Sequence, residues 1–273
     1  MQACRPLLGT YVEIRIGHAR PEAEATAMDR AFQAIMLVQS LMSLREASSD
    51  LAHLNRAAHL EPRSVHPWTR QVLERAVEIH RASEGLFDCN VAQRLADWGL
   101  LPSTVVAPGQ TGASMDDLVF HPDGRVGAHR RLSLDLGGIA KGFAVDKAAE
   151  VLMAEGVQWA VVNAGGDLRV VGDVEEAIHV RDPRNPSQLH FLGSLRDGAV
   201  ATSGSYFSKE LASVPNKSAL VNPRSGQPVV SDRSYSVIAP DCMTADALTK
   251  VLALTGNADH LCFARFQAHA LIV

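Results

Sequence analysis

The run Leu132-Ser133-Leu134-Asp135-Leu136-Gly137-Gly138-Ile139-Ala140-Lys141-Gly142 sets a carboxylate, two glycines and a lysine where an extended segment enters a helix. That arrangement suits an anion. The unpaired N–H groups of a first helical turn and the aligned peptide dipoles attract phosphate, and glycines let it approach the backbone closely. Asp135 repels a bare phosphate unless a cation intervenes or it binds hydroxyls or a ring N–H of the same ligand. Either use implies a nucleotide-like molecule. The same residues also read as a tight strand-to-helix turn in which Asp135 serves structure alone. Neither G-x-G-x-x-G nor G-x-x-x-x-G-K-[ST] is present, so nicotinamide-type dinucleotide and P-loop chemistry lack their motifs.

A second carboxylate, Asp246, lies in Met243-Thr244-Ala245-Asp246-Ala247-Leu248-Thr249-Lys250, after a Pro240-Asp241 turn. Near a helix start it either favours the dipole or holds a metal, and oxygen ligands would then select Mg²⁺, which bridges phosphates. Ala201-Thr202-Ser203-Gly204-Ser205 clusters hydroxyls with no G-x-S-x-G elbow around them, so local hydrogen bonding is expected rather than a serine nucleophile. The eleven histidines are dispersed and none forms H-E-x-x-H; His66 and His80 read as surface or satisfied residues.

These residues need elements to position them. Tyr11 to Ile16 alternates at period two and predicts a strand ending at Gly17. Apolar positions three or four apart predict a long amphipathic helix from Pro21 to about Met42. Ser48-Ser49-Asp50 caps a short helical stretch to Asn55, and Pro67 opens another helix that ends near Gly85. Strands are expected at Leu118–Phe120 and Leu132–Leu136, separated by the turn Pro122-Asp123-Gly124. A helix follows from about Ile139 to Glu155, stopped by Gly156. Further strands are expected at Trp159–Asn163, Leu168–Val171, Ala177–Arg181, Ala199–Ser203, Ala219–Val221 and Ser234–Ile238, then a last helix from Thr244 to Leu254. With helices early, a strand-rich second half and no regular βαβ alternation, the fold class is α+β.

Composition narrows the partners. The 273 residues carry 26 basic and 30 acidic side chains, a formal charge of −4, so the whole-molecule attraction behind non-specific nucleic-acid binding is missing. Four scattered cysteines, with no C-x-x-C pair, argue for free thiols over a disulfide framework or a zinc cluster. No apolar run is long enough to span a bilayer. The N-terminus has no apolar leader, so a cytoplasmic location is expected as written, and a periplasmic one if a leader has been removed.

Several motifs occur in order nearly end to end: Leu7-Leu8-Gly9-Thr10; Ser48-Ser49-Asp50-Leu51 with Leu54-Asn55; Ser83-Glu84-Gly85-Leu86-Phe87-Asp88 with Trp98-Gly99; and Asp135 through Asp146. They continue with Val162-Asn163-Ala164-Gly165-Gly166-Asp167, Ala199 to Gly204, Asn222-Pro223-Arg224-Ser225-Gly226 and Ala245-Asp246-Ala247-Leu248. Together they resemble the ApbE family of FAD:protein FMN transferases. The resemblance implies one T-fold-related α+β domain over residues 1–273, with mixed or antiparallel sheets and packed helices. It also implies a Mg²⁺-dependent enzyme that cleaves FAD, joins FMN through a phosphoester bond to a Thr or Ser hydroxyl of an acceptor protein, and releases AMP. By that resemblance Asp246 is the catalytic residue and ligates the metal with the Gly138 carbonyl oxygen and Thr249. Leu8, Leu44, Leu86, Phe87, Asp88, Asp135, Lys141 and Leu220 would line the FAD site.

The chain departs from the family pattern at three places. Lys250 stands where family members usually have Thr, and a positive charge there competes with Mg²⁺ or binds phosphate itself. Ala219 replaces a His that could take the acceptor's proton, and Leu44 replaces an aromatic residue. An FAD pyrophosphatase releasing FMN and AMP, and an FAD-binding protein without turnover, are the alternatives.

Overall fold

The computed structural model describes residues 1–17, 21–106, 108–185, 187–204 and 218–273. Its contacts fall into two compact units, Met1–Gln39 with Ile139–Gly204 and Asp232–Val273, and Ser40–Gly138 with Ser205–Ser231. Helices and antiparallel sheets make the fold α+β. Among the described residues no helix is long and apolar enough to cross a membrane.

In the first unit, β1 (Gln2–Leu7), β2 (Thr10–Gly17), β5 (Trp159–Ala164), β6 (Asp167–Gly172), β9 (Gly198–Gly204), β10 (Ser234–Ala239) and β11 (His269–Ile272) form one seven-stranded sheet in that spatial order. Every neighbouring pair is antiparallel. Period-two alternation gives this sheet two apolar faces. On one, Val161, Val170 and Val200 pack with Ile178 and Leu195 of the hairpin β7 (Glu176–Arg181) and β8 (Leu189–Leu195). On the other, Val162, Ala199, Ala201 and Val237 are buried where helices α5 (Ala140–Ala154) and α6 (Cys242–Thr255) cover the sheet. Sheet positions facing those helices are mostly small, which lets the helices sit close. Helix α1 (Pro21–Met42) buries Ala27, Ala31, Ile35 and Val38 at the three-and-four spacing read from the sequence.

The second unit carries α2 (Asp50–Ala57), α3 (Pro67–Ala82), α4 (Ala92–Asp97) and the small sheet of β3 (Leu118–Phe120) with β4 (Val126–Ala128). Ser49 caps α2 by accepting the Ala52 N–H at 3.0 Å. His66 caps α3 through Nδ1, which accepts the Trp68 N–H at 3.1 Å. A short helix α7 (Leu261–Arg265) belongs to the first unit.

Two expected strands are absent. Leu132–Leu136 alternates in residue type but not in burial, Ser133 being as buried as its leucine neighbours, and it joins no ladder, because side chains take its backbone groups. Asn55 accepts the Leu134 N–H at 2.7 Å and donates to the Leu134 carbonyl at 2.9 Å, and Asn90 accepts the Ser133 N–H at 2.6 Å. Ala219–Val221 is reduced to one bridge, Val221 to Pro228, and a proline has no N–H with which to extend a ladder.

Candidate active site

The first unit gathers five charged side chains around the facing ends of α5 and α6. The β5–β6 hairpin turns on Gly165 and Gly166, with φ of 62° and 101°, both in the left-handed region that favours glycine. Asn163 Oδ1 accepts the Gly166 N–H at 3.0 Å and holds this turn. The turn delivers Asp167, the first residue of β6, whose carboxylate pairs with Lys141 Nζ from the first turn of α5. One turn later on α6, Lys250 Nζ pairs with Asp246 Oδ1 and donates to the Asp246 carbonyl oxygen at 2.9 Å.

Helices α5 and α6 meet backbone to backbone at Gly142. A Cβ there would lie 2.9 Å from Asp246 Cβ and closer still to the Cys242 carbonyl. This approach lets the Gly142 N–H donate to Asp246 Oδ2 at 3.1 Å. Deeper along α5, Asp146 accepts the Cys242 and Met243 N–H groups, each at 2.8 Å, and satisfies two orphan donors at the start of α6. Asp241 caps the same helix by accepting the Thr244 N–H at 2.7 Å.

Burial and the neighbouring charges set the protonation states. Burial pushes Asp246 upward, but the Lys250 and Lys141 ammoniums outweigh it and hold the carboxyl below its ordinary range. Burial and the like charge of Asp246 push Asp167 up to about 6, against the pull of Lys141 and Lys250. Burial lowers Lys141, yet Asp167 and Asp246 more than offset this and its ammonium is held firmly protonated. Asp146 is pushed up to about 7, chiefly by burial, against the two helix N–H groups. The buried Cys242 thiol is pushed well above its usual value by burial and by three carboxylates, so it is no nucleophile.

Thr249 sits in the same helix turn. Its hydroxyl donates to the Asp246 carbonyl at 2.6 Å and lies 2.7 Å from Ser203 Oγ on β9. Thr202 pairs with Ser236 at 2.8 Å, so both hydroxyls form hydrogen bonds within the unit, while Ser205 lies outside the described residues. As arranged, these donors do not fit Mg²⁺. Asp246 has one oxygen on an ammonium and the other on a backbone N–H, and no group of three metal-binding His, Cys, Asp or Glu side chains occurs among the described residues. A dication about 4 Å from one ammonium would meet about 8 kcal/mol of repulsion at an effective dielectric near 20.

In the second unit, the Asp135 N–H donates to the Cys89 carbonyl at 2.8 Å, so the segment bearing Asp135 lies beside the Leu86-Phe87-Asp88 step. Asp135 Oδ1 accepts the Gly137 N–H at 3.1 Å and shapes the turn that leads to Gly138, while burial pushes its carboxyl upward. Asp88 accepts the Asn90 N–H at 2.7 Å; burial pushes its carboxyl up, against that bond and His80. His80 is buried and its Nδ1 lies 2.8 Å from the Phe87 carbonyl, which can only accept, so Nδ1 carries the proton. Leu44 and Phe87 are buried; Leu86 and Leu220 are half-buried, and the Leu220 N–H donates to Ser218 Oγ at 3.1 Å. Leu8, in the first unit, has a φ of 56° and donates its N–H to Gln39 Oε1 at 2.8 Å.

Lys141, Asp246 and Thr249 therefore come together, and so do Leu86, Phe87, Asp88 and Asp135. Sequence reasoning gave Asp167 and Asp146 no role. Both stand inside quoted motifs, and the signal was a lone acid ending an otherwise apolar or glycine-rich run.

The sequence profile of the ApbE family matches residues 8–272. The FAD:protein FMN transferase of Rhodobacter capsulatus is 31% identical over 271 residues, covering 93% of this chain and 51% of that protein. The protein of the same name from Treponema pallidum (strain Nichols) is 28% identical over 282 residues, covering 92% of this chain and 77% of its own. The chain thus spans about half the length of the first relative. Among solved structures, the ApbE protein of Thermotoga maritima superposes with a TM-score of 0.80 at 26% identity, covering 100% of this chain and 94% of that one. A variant of the flavin transferase ApbE from Vibrio cholerae gives 0.82 at 24% identity, covering 100% and 93%.

Proposed function

The chain belongs to the ApbE family, and from that premise we propose that it is a flavin transferase taking FAD as substrate and a protein as acceptor. A Thr or Ser oxygen of the acceptor bonds to the flavin-side phosphorus of the diphosphate. The bond from that phosphorus to the bridging oxygen breaks, AMP leaves with that oxygen, and the hydroxyl proton is lost to the medium. Transfer of this kind is limited by charge on the phosphoryl oxygens and by alignment, so fixed cations that hold the diphosphate do most of what a protein can do.

The observation that carries this proposal is the paired cluster of Lys141 with Asp167 and Lys250 with Asp246. Each ammonium is fixed by a buried carboxylate while part of its side chain reaches solvent, the posture of a pre-set anion binder. The names of the relatives support FAD as the ligand. Leu8, Leu44, Leu86, Phe87, Asp88, Asp135 and Leu220 are assigned to FAD by family resemblance alone, as are Gly138 and Thr249 to a metal. Ala219 is exposed and its methyl group takes no proton, so removal of the acceptor's proton falls to another group.

The test is incubation of the protein with FAD and a Thr-containing acceptor, followed by intact-mass analysis. An FMN-sized gain on the acceptor with AMP in solution is the expected result. The Lys250–Asp246 pair favours one second possibility, an FAD-binding protein without turnover; FAD held intact with no AMP formed selects it.

A further inference from the structure

The two ion pairs between α5 and α6, Lys141 with Asp167 and Lys250 with Asp246, balance each other without a metal. Two carboxylates, Asp167 and Asp246, have side chains 2% exposed each, and two ammoniums stand against them. The lysine side chains are 28% and 20% exposed, so the positive members are the ones that face outward. Both oxygens of Asp246 already have donors, and the Thr249 hydroxyl is engaged by the Asp246 carbonyl and Ser203. We propose that the Lys250 ammonium takes the place of a divalent cation at Asp246, so that the diphosphate of the ligand is bound by Lys250 and Lys141 and its binding needs no divalent metal.

Three features support the assignment. The ammonium is held at two points, Asp246 Oδ1 and the Asp246 carbonyl, which fixes a long side chain that would otherwise wander. Asp246 lies one helical turn before Lys250, so the pair is built by a single helix and needs no rearrangement to form. An ammonium is a compact point charge with three donors, and with two of them directed at Asp246 a third is left for a phosphate oxygen. This inference rests on FAD as the ligand, and its metal half is separable from that premise.

The experiment uses the full chain. Mn²⁺ is titrated as the probe and followed by electron paramagnetic resonance on the wild type, on Asp246→Asn, on Lys250→Thr and on Lys250→Thr with Asp246→Asn. The wild type is expected to show no saturable site up to about 1 mM. Lys250→Thr is expected to gain one site, which the second substitution removes. In parallel, FAD binding is read by flavin fluorescence with excess chelator and with Mg²⁺. Wild-type affinity is expected to change by less than about twofold between the two conditions, while Lys250→Thr weakens by about tenfold or more in chelator and recovers with Mg²⁺.

Saturable Mn²⁺ binding by the wild type that Asp246→Asn abolishes overturns the proposal, and this measurement does not depend on whether any Lys250 variant folds. So does a tenfold loss of wild-type FAD affinity on chelation. If the wild type shows no Mn²⁺ site and also binds no FAD in either condition, the flavin premise and the diphosphate half fall together while the metal half stands.

Discussion

Replacing Lys250 with Met keeps the length of the side chain and removes its ammonium, leaving Asp246 Oδ1 without its partner. The Asp246 side chain is 2% exposed, so water cannot reach it freely and the carboxylate is left buried with only the Gly142 N–H and the more distant Lys141 charge. Breaking a buried pair from one side costs about 3–5 kcal/mol, and the residual attraction of Lys141 places the expected loss near the lower end. The pH dependence has a defined sign. In the wild type Asp246 is held below its unfolded value, so its stabilisation is present above about pH 4 and is lost as pH falls through the folded value. In Lys250→Met burial dominates and raises the folded value, so stability falls as pH rises from about 4. Urea denaturation at pH 5 and pH 8 measures both. The loss should be larger at pH 8, and adding Asp246→Asn should recover part of it. A loss under about 1 kcal/mol that is equal at both pH values would show a solvent-screened surface pair and refute the burial argument.

Gly142→Ala drives a methyl into the Cys242 carbonyl and to 2.9 Å from Asp246 Cβ, so α5 and α6 must separate. A loss of about 1–3 kcal/mol in thermal or chemical denaturation is expected, with weakened FAD binding; a neutral variant would contradict the close approach. Asn55→Ala strips both backbone bonds from Leu134 and leaves two buried groups unpaired, so about 2 kcal/mol or more of stability should go, read as a lower urea midpoint. Asp146, whose folded value is about 7 against about 4 unfolded, binds its proton more tightly in the folded state, so its contribution weakens as pH rises between those values. The stability of the wild type relative to Asp146→Asn should therefore fall across that window, by up to about 4 kcal/mol. A constant difference from pH 4 to pH 8 would show that Asp146 is not buried as a titrating acid.

Legibility in the sequence followed the locality of the forces. The long helices announce themselves through apolar spacing, and the starts of α2 and α3 through Ser49 and Pro67, because those signals are local, whereas the cap that His66 supplies to α3 carries no such mark in the sequence. Strand β1 was not foreseen: it is an edge strand, largely exposed and carrying Pro6, so it lacks the alternation that marks a half-buried strand. Leu132–Leu136 erred the other way. Its alternation is real, but Asn55 and Asn90 supply the hydrogen bonds a neighbouring strand would have given, and no local pattern reveals a partner so far away in the chain.

The site divided along the same line. Asp246 and Lys141 stood out by residue type and by motif, and Lys250 stood out as a departure. The Lys141–Asp167 and Gly142–Asp246 contacts depend on a glycine turn and on two helices meeting at one glycine. Periodicity does not encode them. The satisfied state of His80 matched expectation because a buried imidazole beside a carbonyl needs no ligand to explain it.

Flavin transfer, unlike hydrolysis or simple binding, makes AMP release from FAD depend on an acceptor. Chromatography of AMP formed from FAD, with and without a Thr-bearing acceptor protein, measures this. AMP appearing in step with FMN on the acceptor, and nearly absent without it, is the expected result. Equal AMP in both mixtures with free FMN would make the chain a hydrolase, and no AMP in either would leave it a binder.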